Sequence, residues 1–142
     1  MNTNHAASTK AIRVTPTAMT DYPIIGPTLE ALYAGIGCHT VDAISLQDGI
    51  DLWVDDEGMI NGSPLNLPLT IICHVLGART AIFGTGIFLA VNTDDGETTS
   101  LTEEQAEKVR GAILTRPSRQ IIDELFTTLD AIPGMYEILR RL

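Results

Sequence analysis

Short apolar runs, separated by glycine and proline, alternate along this chain between the two-residue period of strands and the 3.6-residue period of helices. The order is strand, helix, strand, strand, helix, strand, and then a helical tail. This order favours helices packed against a sheet. We therefore predict an α+β fold with a mostly antiparallel sheet, helices on one face, and C-terminal helices. The same order permits a ferredoxin-like β-α-β-β-α-β sheet.

The first elements are marked by prolines and glycines. Residues 10–15 alternate as a strand, and residues 16–27 contain three prolines and are predicted to form a loop. Thr28 is expected to cap a short helix over residues 29–36, which two glycines end.

A β-hairpin and a second helix are predicted next. Residues 39–46 and 50–54 alternate in polarity around a Gln-Asp-Gly turn, which is typical of a hairpin. Asn66 or Ser63 is expected to cap a helix that ends near a glycine. Residues 80–92 are rich in strand-forming residues and close the predicted sheet.

The C-terminal part of the chain changes to a helical period. Thr102 begins one predicted helix, and Pro117 restarts the chain before another. Ile121, Leu125 and Leu129 fall on one face of this last helix. The broad stripe predicts either packing onto the sheet or a homodimer through the C-terminal helices, and we favour the dimer.

The length of 142 residues fits a single domain, residues 1–142. We divide it into a flexible tail at residues 1–8, a sheet-helix core at 9–100, and a helical extension at 101–142. No signal peptide or apolar run of about 18 residues is visible. The two cysteines are too few for a disulfide scaffold. These features predict a cytoplasmic protein.

The charge of the chain is strongly acidic and unevenly placed. The formal net charge is −9, which disfavours binding to nucleic acid and to anionic membrane surfaces. Residues 21–78 contain eight acidic residues and no lysine or arginine. An acidic face for a basic partner is one interpretation, and simple solubility is the other.

Several short motifs occur together in a recognisable order. They are LEALYAGIG at residues 29–37, LWVDDEG at 52–58, PLN at 64–66 and IFGTG at 82–86. Together they resemble a family of domains of unknown function, DUF3846, over residues 28–100. The resemblance implies a protein of phages or mobile elements of actinobacteria and archaea. It implies no activity.

Two adjacent Cys-His pairs raise the question of a metal site. The pairs are Cys38-His39 and Cys73-His74. Neighbouring side chains diverge in strands and helices, so neither pair is suited to chelation. We predict no metal, no cofactor and no enzymatic activity, since no catalytic constellation stands out.

Two binding functions fit the sequence. The preferred prediction is a protein that binds a host or phage protein, in host takeover or counter-defence. Its contact residues would be Trp53, Asp55, Asp56 and Glu57, which lie in and before an acidic turn.

The alternative is a protein that binds a small ligand or sequesters a nucleotide. Asn66, Gly84 and Gly86 would then line a pocket, since glycine lets a backbone approach a phosphate closely.

Overall fold

The computed structural model describes residues 8–134, and within them six strands form one sheet with antiparallel pairing. The strands are β1 (Ile12–Val14), β2 (Met19–Asp21), β3 (Val41–Ser45), β4 (Ile50–Asp55), β5 (Gly86–Val91) and β6 (Thr98–Thr99). The helices are α1 (Thr28–Ile36), α2 (Leu67–Val75), α3 (Glu103–Leu114) and α4 (Arg119–Asp130). The predicted α+β class is confirmed, with its mostly antiparallel sheet and C-terminal helices.

The sheet is arranged around β5, which is buried on both faces. The strand order is β2-β1-β5-β4-β3, and β6 pairs with the end of β5. Ile87 and Leu89 pack with Leu32 of α1 on one face, whereas Phe88 packs with α2 and α3 on the other. The prediction that the helices share one face is therefore wrong. Since β5 is apolar at successive positions, both of its faces need a covering helix.

The first two strands form a hairpin. The predicted loop over residues 16–27 contains β2, which pairs with β1, so this prediction is wrong for residues 19–21. The Thr15 hydroxyl accepts a hydrogen bond from the backbone N–H of Ala18 at 3.0 Å, which supports the turn. Because a strand rather than a helix follows β1, the ferredoxin-like order is also wrong. A three-residue strand among prolines has too little local pattern to be predicted.

Side-chain caps begin three of the four helices between residues 8 and 134. Asn66 caps α2, Thr102 caps α3 within a capping box, and Ser118 caps α4. The predictions for Asn66 and Thr102 are confirmed. The predicted cap at Thr28 is wrong, because Pro27 occupies the cap position of α1 without a side-chain hydrogen bond. Pro27 has a φ of −62° and a ψ of 125°, the extended backbone that is typical of a helix N-cap residue.

The two C-terminal helices pack in different places. The apolar side of α3 packs into the core that the sheet and α2 also line, through Ala106, Val109 and Ala112. On α4, Leu129 is buried beside Leu65 and Phe83, at the edge of α2. The Nε2 atom of His74 in α2 lies 2.9 Å from the hydroxyl of Thr128 in α4. Both helices therefore belong to the packed body of the protein.

Two predicted segments lie outside the described residues. One is the N-terminal tail, of which only Ser8 is described, and the other is the end of the predicted helical extension, residues 135–142. Between residues 8 and 134, no helix combines the length and the hydrophobicity needed to cross a bilayer.

Leu129 should contribute most of the apolar packing of α4. It is 3% exposed, whereas Phe126 on the same helix is 60% exposed. We expect Leu129→Ala to lower the free energy of unfolding by about 2–5 kcal/mol. The control Phe126→Ala should change it by less than about 1 kcal/mol. Urea denaturation followed by circular dichroism measures both, and equal losses would contradict this packing.

Candidate functional site

Asn66, Gly84 and Gly86, the residues of the predicted ligand pocket, come together in the structure. The Asn66 side chain is fully buried, and its amide nitrogen donates to the carbonyls of Val14 at 3.1 Å and Gly84 at 2.8 Å. Its amide oxygen accepts from the N–H of Leu69 at 3.0 Å, as the cap of α2. The polar atoms of this side chain are therefore engaged in joining β1, α2 and the segment before β5.

The two glycines are explained by backbone conformation and close packing. Gly84 has a φ of +87°, a left-handed conformation that L side chains rarely adopt. A Cβ on Gly86 would lie 2.7 Å from Leu69 Cδ1 and 2.8 Å from Leu52 Cδ1, so side chains already fill that space. The three residues thus surround packed protein atoms.

The acidic turn predicted after β4 is part of a loop over residues 55–62, which we call the acidic loop. The Asp55 carboxylate accepts hydrogen bonds from the N–H of Glu57 at 2.8 Å and the side chain of Asn61 at 3.1 Å. Gly58 is buried, and a Cβ there would lie 2.7 Å from the carbonyl oxygen of Phe83. These contacts connect the two ends of the loop and pack it against the segment before β5.

Two large apolar side chains project from the acidic loop. Met59 is 56% exposed and Ile60 is 82% exposed. The carboxylates of Asp56 and Glu57, which the sequence predicted for this surface, are exposed beside them along the chain. The sequence analysis missed Met59 and Ile60, although two apolar residues between an acidic turn and an Asn-Gly pair were a visible signal.

Trp53, the remaining predicted contact residue, lies elsewhere. It is partly buried on the face of the sheet that α1 covers and packs against the cluster of Leu32, Ile87 and Leu89. Its indole nitrogen is buried and has no hydrogen-bond partner among residues 8–134. Trp53 therefore contributes to packing under α1, whereas Asp55, Asp56 and Glu57 belong to the acidic loop.

A groove runs beside the acidic loop along β3. Its volume is about 200 Å³. The residues that line it include the apolar Ile44, Val54, Ile82 and Phe83, and the acidic Asp42, Asp55 and Asp56. We call it the edge groove. Because residues 21–78 contain no lysine or arginine, no basic side chain from that stretch offsets these carboxylates.

The environments of both cysteine thiols raise the thiol pKa, which favours the protonated form. Burial raises the pKa of Cys73 to about 12. The pKa of Cys38 is also raised, first by burial and then by the nearby Asp55 carboxylate, against a backbone hydrogen bond at Thr40. A protonated thiol is a weak nucleophile and a poor metal ligand. Within residues 8–134, no three histidine, cysteine or acidic side chains gather as a metal site would require.

Comparisons with known proteins give one family. The model of a domain of unknown function (DUF3846) matches residues 9–114. No curated protein and no solved structure matches the chain. The match includes β1, β2 and α3, so it extends on both sides of the residues that carried the resemblance. The first helix of the predicted helical extension, α3, is thus part of the family pattern.

Replacing Asn66 should destabilise the whole fold. Asn66→Ala removes the helix cap and leaves two carbonyls without their donor, so we expect the free energy of unfolding to fall by about 3 kcal/mol. Asn66→Asp keeps the oxygen that accepts from the N–H of Leu69, but it replaces the donating amide nitrogen by a second oxygen. This oxygen would face the carbonyls of Val14 and Gly84 and repel them, so we expect Asn66→Asp to destabilise the fold at least as much as Asn66→Ala. Chemical denaturation measures both variants. A mild effect of Asn66→Asp would show that the cap alone matters.

Thiol labelling tests the cysteine environments. In the folded protein at pH 8, we expect a disulfide reagent to modify Cys38 more slowly than free cysteine and Cys73 not at all. The raised pKa values keep the thiolate fraction low at this pH, and burial blocks access to Cys73. In denaturant both thiols should react at once. Rapid modification of two thiols in the folded state would contradict the burial of Cys73.

Proposed function

Because this chain belongs to the DUF3846 family, whose function is unknown, we propose its role from the surface of the acidic loop. The protein is a non-enzymatic accessory protein of a phage or mobile element that binds a host or phage protein. It acts in the host cytoplasm, in host takeover or counter-defence. The observation that carries the proposal is the exposure of Met59 and Ile60 on a loop whose other side chains are acidic or polar.

Exposed apolar side chains within a polar rim are typical of protein interfaces. Burial of Met59 and Ile60 in a partner would supply affinity through the hydrophobic effect. The carboxylates of Asp56 and Glu57 would select a basic partner and speed its approach. The division of roles between apolar centre and charged rim supports protein binding over binding of a small anion.

The acidic loop is also preorganised for binding. Its shape is set by the Asp55 hydrogen bonds and by the packing of Gly58 against Phe83. A loop that is ordered before binding loses less conformational entropy when a partner docks. The nucleotide-binding alternative has less support, since the amide of Asn66 is already committed to backbone groups.

A non-enzymatic role is supported by the burial of the Cys73 thiol and by the hydrogen bonds of the His74 ring, since these groups would otherwise be candidates for a nucleophile and a base. The Cys73 thiol is buried with a pKa of about 12. The neighbouring His74 has both ring nitrogens within 2.9 Å of partners in α2 and α4. The His74 side chain therefore joins α2 to α4, and the Cys73 side chain is part of the core. A homodimer through the C-terminal helices stays a prediction, and Phe126 is the exposed residue at which we expect such a contact.

Ile60→Ser should abolish capture of the partner without affecting the fold. The matched control is Leu114→Ser, because Leu114 is also 82% exposed but lies at the end of α3. We expect the wild type and Leu114→Ser to capture the same protein from a lysate of host cells, and Ile60→Ser to lose it. Quantitative mass spectrometry, followed by calorimetry with the purified partner, measures this. Equal capture by the wild type and both variants would refute the role of the acidic loop.

A further inference from the structure

In the sheet formed by residues 8–134, the strand β3 is one edge. Two hydrogen bonds next to it define which of its residues bond to β4: the N–H of Leu46 donates to the carbonyl of Ile50 at 2.8 Å, and the N–H of Asp56 donates to the carbonyl of Thr40 at 3.3 Å. In an antiparallel pair, backbone bonding alternates along the strand. Asp42 and Ile44 therefore bond to β4, whereas Val41, Ala43 and Ser45 do not.

The backbone groups of Val41, Ala43 and Ser45 consequently point away from the sheet. An independent contact agrees with this: the N–H of Ala43 donates to the side chain of Asp42 at 3.0 Å, and so it is not used by β4. The edge offers alternating donors and acceptors to another extended chain. In the free protein, Asp42 partly blocks this edge by occupying the Ala43 N–H.

We propose that β3 binds an extended, basic segment of the partner protein, which adds to the sheet as a further strand. This inference rests on the proposed function, and it names the chemistry and the mode of the contact. β3 is the better edge for this role, since it has five residues, whereas β2 at the other edge has three.

The side chains next to β3 define the sequence pattern of the segment. Asp42 and Ile44 lie opposite Val54 and Leu52 of β4, on the face of the sheet that carries the edge groove. Side chains of an added strand on that face would lie next to Asp42 and near Asp56, and lysine or arginine suits these carboxylates.

On the other face, the neighbours of the added strand are different. Val41 and Ala43 lie on the same face as Trp53 and are partly buried. Small or β-branched apolar side chains would extend this surface. The segment therefore alternates basic and apolar residues. A cation beside Asp42 would also draw its carboxylate from the Ala43 N–H, which frees that group for the incoming strand.

The experiment uses the complete protein and a synthetic peptide of alternating lysine and valine as the probe. When the peptide is titrated into the protein and amide NMR spectra are recorded at each step, the resonances of Val41, Ala43 and Ser45 should shift first. A peptide of alternating glutamate and valine should not bind. Two further peptides carry N-methyl groups on the lysine or on the valine amides. Only one of them should lose binding, because the N–H groups that face β3 come from alternate residues.

Ala43→Pro tests the edge in the protein. Proline removes the outward N–H of Ala43 and is tolerated where an edge N–H faces solvent. Ala43→Thr is the matched control, since it changes the side chain but keeps the N–H. We expect peptide affinity to fall by about tenfold or more in Ala43→Pro and to stay within about threefold of wild type in Ala43→Thr.

The outcomes separate this inference from the proposed function. Unchanged affinity in Ala43→Pro, equal binding of both N-methylated peptides, or no shift at β3 with the lysine-valine peptide at about 1 mM would overturn strand addition. If Ala43→Pro still captures the cellular partner while Ile60→Ser does not, the proposed function stands and strand addition fails. If neither substitution reduces capture, the acidic loop is not the binding surface and both fail.

Discussion

The side-chain amide of Asn66 joins three segments that are distant in sequence, and the position of the candidate site depends on it. Its nitrogen binds the carbonyls of Val14 and Gly84, and its oxygen caps α2. The backbone N–H of Asn66 donates to the carbonyl of Ile82 at 2.7 Å, and the hydroxyl of Thr70 accepts from the N–H of Ile82 at 3.0 Å. A buried backbone group without a partner is costly. The hydrogen bonds of Asn66 and Thr70 therefore fix residues 82–84, which lie before β5 and belong to no strand of the sheet.

The position of the acidic loop depends on its packing against residues 82–84. Gly58 packs against the carbonyl of Phe83, next to the backbone that Asn66 and Thr70 hold. The loop is therefore fixed at its base by buried contacts and leaves Met59 and Ile60 to solvent. The buried contacts that support the fold are therefore separate from the exposed residues of the proposed binding surface, so those surface residues should tolerate substitution without loss of the fold.

The double-sided burial of β5 explains why the available surface lies at an edge of the sheet. α1 covers one face of β5, and α2 with α3 covers the other. With both faces covered at the centre, the strand edge of β3 and the groove beside it remain accessible. Asp42 on this edge and Asp55 and Asp56 beside it disfavour edge-to-edge pairing with a second copy through like-charge repulsion, and the same carboxylates suit the basic segment that we propose.

The sequence by itself determined the elements whose signals are local. The hairpin of β3 and β4, the caps at Asn66 and Thr102, and the acidic turn at residues 55–57 follow from turn chemistry, capping and charge within a few residues. The short strand β2 has no such local signal, and its formation depends on pairing with β1. Only the tertiary structure decided that the helices cover both faces, that the amide of Asn66 is used within the core, and that Met59 and Ile60 are exposed. Each of these depends on contacts between residues far apart in the chain, which a local pattern cannot specify.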